Sequence, residues 1–75
     1  MKGGEHVNEP FVNARNRAGY SQDDVARKLG IDQSSVAYWE TGKNLPRASM
    51  LVKLADLYCC SIDELMGRSA GQNSA

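Results

Sequence analysis

Apolar residues along the chain recur at helical spacing in short runs, each bounded by polar or glycine-containing breaks. Phe11, Ala14 and Ala18 make the first run, and Gly19 ends it. Asn8 stands where a helix cap belongs, with Pro10 tolerated in the first turn. Val25, Ala26 and Leu29 make a second run, Val36 and Trp39 a third. Ala48, Leu51, Val52, Leu54, Ala55, Leu57 and Tyr58 form a longer fourth run, apolar over much of its circumference, as expected of a central buried strut. The starts share a local grammar. Ser21 follows Tyr20 and precedes Val25, Asp32 follows Ile31 and precedes Val36, and Ser61 follows Cys60 and precedes Leu65. Each is a polar N-cap flanked by a hydrophobic staple, and Ser61 with Glu64 makes a capping box. A cap of this kind is worth about 1 kcal/mol. Gly42 suits the left-handed position after a helix, and Pro46 prevents continuation. The pattern predicts an all-α fold of five short helices without a strand, the third over 33–40 and the fifth over 62–66.

The segment 22–41 is the informative one. Val25, Ala26, Leu29, Gly30, Ile31, Val36 and Trp39 fall where two short crossed helices must touch, joined by a turn containing Gly. That packing leaves Gln33, Ser34, Ala37 and Tyr38 on the outer side of the second helix. A helix that presents Gln and Ser outward from a compact support meets the requirement for reading a DNA major groove.

Length and charge set limits on this expectation. Seventy-five residues suffice for one domain. Residues 8–67 are expected to form it, with a flexible arm at 1–7 and a polar tail at 68–75. The 41% apolar and 24% charged composition is that of a globular chain. No long apolar run or signal peptide is seen, so a cytoplasmic protein with no membrane association is expected. Cys59 and Cys60 are adjacent and are read as buried structural thiols rather than a disulfide or metal pair. The net charge of zero argues against a strong electrostatic grip on nucleic acid. Position matters more than the total: Asp23 and Asp24 precede Arg27 and Lys28 by one helical turn, whereas Lys43 and Arg47 flank a loop with no acid between them.

Taken together, Arg15, Gly19-Tyr20-Ser21-Gln22, Val25-Ala26, Leu29-Gly30-Ile31, Val36, Trp39-Glu40-Thr41-Gly42-Lys43, Pro46, Leu51, Leu54-Ala55 and Ser61-Ile62-Asp63-Glu64-Leu65 resemble the Cro/C1-type helix-turn-helix domains, the lambda-repressor-like fold of phage repressors and small bacterial regulators. The resemblance spans roughly three-quarters of the chain. It implies base contacts from Gln33, Ser34 and Tyr38, with Ala37 lining the groove. It implies phosphate contacts from Gln22 at a helix start and from Thr41, Lys43, Asn44 and Arg47 in and after the loop. Ser35 is placed with the phosphate contacts, the alternative being that it only helps start its helix. Tyr38 is suited to a thymine methyl or a phosphate, or else to packing on its neighbours. The resemblance also implies a structural ion pair between Arg15 and Glu40. Two departures stand out. Cys59 occupies a position that is often Gly and left-handed, and Arg47 replaces the usual Ser or Thr cap of the long helix.

No nucleophile–base order is present among the Ser residues, His6 has no visible partner, and the acids near helix starts answer the helix dipole. The expectation is therefore not an enzyme: no catalytic residue, metal, cofactor or small-molecule ligand is assigned. The expected function is a sequence-specific, double-stranded DNA-binding transcriptional regulator, acting as a homodimer on a two-fold operator. The alternative is a protein-interaction module, such as an antitoxin or adaptor, that keeps the fold without binding DNA.

Overall fold

The computed structural model describes residues 8–67; the arm expected at 1–7 and the tail expected at 68–75 lie outside the described residues. Among these residues there are five helices and no strand: α1 (Glu9–Ala18), α2 (Gln22–Leu29), α3 (Gln33–Thr41), α4 (Ala48–Tyr58) and α5 (Ile62–Leu65). The boundaries of α3 and α5 differ by one residue from those expected. Thr41 joins α3 because the left-handed turn begins only at Gly42, and α5 stops at Leu65 because Met66 no longer has helical backbone angles.

Four helices end alike. After each, the chain enters the left-handed region at Gly19, Gly30, Gly42 and Cys59, and the next residue donates its backbone N–H back to the last turn. This is the double closure that satisfies the orphan carbonyls of a helix end. Cys59, at φ 57°, is the non-glycine member, so a side chain sits where L-residues lose about 1–2 kcal/mol.

The starts are less uniform than the sequence suggests. Ser21 and Ser61 each accept the N–H of the third helical residue, while Asp24 and Glu64 reach back to the cap N–H. Asp32 occupies the cap position of α3 and Asn8 that of α1, yet neither makes a side-chain cap bond. Asn8 is used elsewhere: its Nδ2 donates to the Trp39 carbonyl at 2.9 Å, and its backbone N–H donates to the Glu40 carbonyl at 2.9 Å. The start of α1 thereby ties to the C-terminal turn of α3.

Phe11, Ala14, Val25, Ala26, Val36, Trp39, Leu54, Ala55, Tyr58 and Leu65 form one core to which every helix contributes. Burying one of the larger aliphatic side chains or Phe11 contributes about 1.5–3 kcal/mol. The expectation for α4 needs correcting. Only Leu54, Ala55 and Tyr58 are buried, and Val52 is exposed. α4 packs against α1 and α5, and no described element covers its outer face, so it is a one-sided helix rather than a central strut. The reading of both cysteines as buried also fails. Cys60 is partly buried against the core, but Cys59, at the turn beyond the helix end, is exposed. Burial, with Glu64 nearby, pushes the Cys60 thiol up from its ordinary value.

Candidate nucleic-acid interface

The outer side of α3 is organised from a buried carboxylate. Glu40 is 4% exposed, a cost that a carboxylate sustains only with donors around it. Arg15 reaches it from α1 with Nε at 2.6 Å from Oε2 and Nη2 at 2.9 Å from Oε1, a bidentate pair. The hydrogen bonds to Glu40 hold the Arg15 guanidinium above its already high ordinary value. Nη1 of Arg15 donates to the Tyr20 carbonyl at 2.9 Å. The α1–α2 turn is thus tied to the same cluster.

The relay continues to the surface. Gln22 Nε2 donates to Glu40 Oε1 at 2.9 Å, and Gln33 Nε2 donates to Gln22 Oε1 at 2.9 Å. Chemistry fixes the direction of both amides. A carboxylate is only an acceptor, so Gln22 must turn its NH₂ inward, which leaves its oxygen outward. Gln33 must then offer an N–H to that oxygen. It retains a second N–H and its own carbonyl oxygen, the donor and acceptor needed to grip the N7 and N6 edge of adenine. Gln22 likewise retains one N–H beyond its bond to Glu40.

The other end of α3 is organised by backbone. The Tyr38 carbonyl accepts the N–H of Lys43 at 2.9 Å and the N–H of Asn44 and hydroxyl of Thr41 at longer range. This holds the loop against the helix. Lys43 folds back so that Nζ lies 5.2 Å from the centroid of the Tyr38 ring. Arg47 lies beyond it, in an open cleft of about 610 Å³ lined also by Ser35, Trp39, Asn44 and Ser49.

Charge is distributed unevenly. Among the described residues, Arg15, Arg17 and Arg27 are taken up in ion pairs with Glu40, with Glu64 and with Asp23 and Asp24, respectively, while Lys28, Lys43, Arg47 and Lys53 form none. Asp32 is an exposed acid at the start of α3. The zero net charge therefore coexists with two uncompensated cations beside the α3 ridge.

Comparison with known proteins gives this geometry a family. A helix-turn-helix profile matches residues 13–65. The chain belongs to the Cro/C1-type helix-turn-helix family. It is 39% identical over 64 residues to the cryptic phage CTXphi transcriptional repressor RstR of Vibrio cholerae, covering 85% of this chain and 57% of that protein. It is 38% identical over 55 residues to the HTH-type transcriptional regulator ImmR of Bacillus subtilis, covering 73% of this chain and 43% of that protein. It is 36% identical over 61 residues to the HTH-type transcriptional regulator AnsR of Bacillus subtilis, covering 81% of this chain and 53% of that protein. The chain thus spans about half the length of these curated relatives. The family is one of DNA-binding transcription regulators, not of enzymes.

Within this Cro/C1-type frame, the residues singled out from sequence fall into linked groups: Gln22 with Gln33, Tyr38 with Thr41, Lys43 and Asn44, and Ser35 with Asn44 and Arg47. Gln33, Ser34 and Tyr38 are exposed along α3, and Ala37 is half-buried between them. Thr41, Lys43, Asn44 and Arg47 are exposed in and after the loop, while Ser35 is half-buried in the cleft. Gln22 is half-buried, with its side chain spent on Glu40 and Gln33 rather than projecting freely. The sequence reading missed three partners: Asn8 at the end of α3, Gln22 as the link between Glu40 and Gln33, and the Tyr38 ring beneath Lys43. Only Asn8 carried a local signal, as a polar residue before a helix. No helix of the described residues is long and apolar enough to cross a membrane.

Proposed function

We propose that the chain is a sequence-specific, double-stranded DNA-binding transcriptional regulator that inserts α3 into the major groove. Gln33, Ser34 and Ala37 face base edges, with Tyr38 at the far end of the ridge. Gln22, Ser35, Thr41, Lys43, Asn44 and Arg47 hold the phosphates on either side. The family supports the DNA-binding class. The observation that carries the specific reading is the relay from Arg15 through Glu40 and Gln22 to Gln33, because it presets an exposed amide with free donor and acceptor groups. A solvated surface glutamine has no such constraint. Preorganisation of this kind lowers the ordering cost of binding.

One recognition helix reads only a few base pairs, and two uncompensated cations give little counterion release. A homodimer on a two-fold operator, with half-sites about 10 base pairs or a multiple apart, supplies the missing affinity. The exposed Ile62 and Met66 on and beside α5 support that end as the dimer surface.

Fluorescence polarisation against selected and scrambled duplexes tests the reading. Gln33→Ala should lose about 5- to 150-fold discrimination at one base position, as expected for a bidentate contact worth about 1–3 kcal/mol. Lys43→Ala should weaken selected and scrambled duplexes alike and reduce the salt dependence. Absence of any DNA binding by the wild type near 50 mM salt would favour the protein-interaction module instead.

A further inference from the structure

Four helices end in the same backbone closure, and what accompanies each closure differs. In this motif the residue after the left-handed position commonly makes an apolar contact to a residue in the last turn of its helix. The pairs joined by that closure here are Tyr20 with Arg15, Ile31 with Ala26, Lys43 with Tyr38, and Cys60 with Ala55. Two are apolar and lie against or within the core. Arg15 belongs to the buried ion pair. The pair at the end of α3 is different: both residues are exposed, and the contact is a lysine ammonium over an aromatic face.

The geometry points to Tyr38 as a positioning residue for Lys43. The ring holds the ammonium at the rim of the α3 ridge, and the DNA contact at this end is made by Lys43 on a backbone phosphate, not by the ring on a base. The inference rests on the DNA-binding reading above and moves Tyr38 from the base readers to the backbone grip. Three features support it. The backbone of the loop is already fixed to the Tyr38 carbonyl, so the freedom left in Lys43 is that of its side chain. A lysine stem is flexible, and a cation–π contact selects among its rotamers. An ammonium resting on a ring still has N–H groups directed away from it for phosphate oxygens.

The test is the salt dependence of binding to a selected duplex, together with the base-preference profile, for wild type, Tyr38→Ala, Tyr38→Phe, Lys43→Ala and the double alanine variant. Tyr38 is 43% exposed, so its truncation leaves the core in place. One phosphate contact contributes about 0.9 to the slope of log affinity against log salt, or about 3.5-fold between 50 and 200 mM. Tyr38→Ala and Lys43→Ala should each lower the slope by up to about 0.9, the double variant should lower it no further, and Tyr38→Phe should match wild type. The base-preference profile should be unchanged by Tyr38→Ala. Relaxed preference at a base pair with the slope intact, or losses that add in the double variant, would overturn the pairing while leaving the DNA reading standing. A wild type that binds no duplex overturns both. In the free protein, the Lys43 side-chain protons should show upfield ring-current shifts that vanish in Tyr38→Ala; unshifted protons in the wild type would also overturn the pairing.

Discussion

The α3 ridge and the α4–α5 face are both open to solvent, but their exposed side chains are supported in different ways. On the ridge, Gln33 is connected through Gln22 to a buried carboxylate, and Lys43 rests on Tyr38. On α4 and at α5, Val52, Ile62 and Met66 are exposed apolar side chains with no hydrogen-bonded support, and Leu45 is exposed in the loop after α3. A surface held in register by hydrogen bonds is suited to reading a pattern of donors and acceptors. An apolar surface without such restraints gains only by being covered, which suits a protein contact. The same small core serves both, and the difference between the faces lies in what is buried beneath them.

The largest effect should come from the carboxylate under the ridge. Glu40→Gln leaves Arg15 without its counter-charge and removes the reason for Gln22 to turn its NH₂ inward. Stability should fall by about 3–5 kcal/mol in urea unfolding, whereas Val52→Ser on the open face of α4 should change it by less than about 0.5 kcal/mol. Similar small losses at both sites would erase the distinction between the faces. A second variant sharpens the contrast from the other side. Cys59→Gly removes a side chain from the left-handed position at the α4–α5 turn. After the larger unfolded-state entropy of Gly is deducted, the gain should be about 0.5–1 kcal/mol, visible as a higher urea midpoint.

Helix starts offer a finer comparison. Ser21→Ala removes a made cap bond and should cost about 1 kcal/mol, while Asp32→Ala removes a cap residue that makes none and should cost less than about 0.5 kcal/mol. The smallest effect is a pH dependence confined to α2. Hydrogen bonds from Ser21, with Arg27 adding a smaller part, hold the Asp24 carboxyl below its ordinary value of 3.8. A depressed carboxylate stabilises the fold above its unfolded value, and that contribution is lost as pH falls through the folded value. The wild type should therefore lose stability below pH 3.8 to a greater extent than Asp24→Asn, in denaturation series across that range.

Much of this fold was legible because its signals are local. Periodicity placed Val25, Ala26, Val36 and Trp39 inward, the Ser21 and Ser61 caps marked two helix starts, and a non-glycine residue was expected in the left-handed region at Cys59. The supports of the ridge were not legible for the opposite reason. Gln22 lies 18 residues from Glu40 and 11 from Gln33, and Asn8 lies 31 from Trp39. Such contacts exist only once α1, α2 and α3 are docked. The exposure of Val52 was hidden for a related reason: its apolar character is the same whether or not another element covers α4. The side chains at the candidate interface could be read from the chain, but not how they are held.

Backbone and side-chain amide NMR of the protein titrated with a selected duplex tests the central claim most directly. The account predicts that shifts concentrate at Gln22, Gln33, Ser34, Ala37, Tyr38, Lys43, Asn44 and Arg47, with the Gln33 side-chain amide among the most affected. Shifts confined to Val52, Ile62 and Met66, with Gln33 unmoved at saturating DNA, would contradict it.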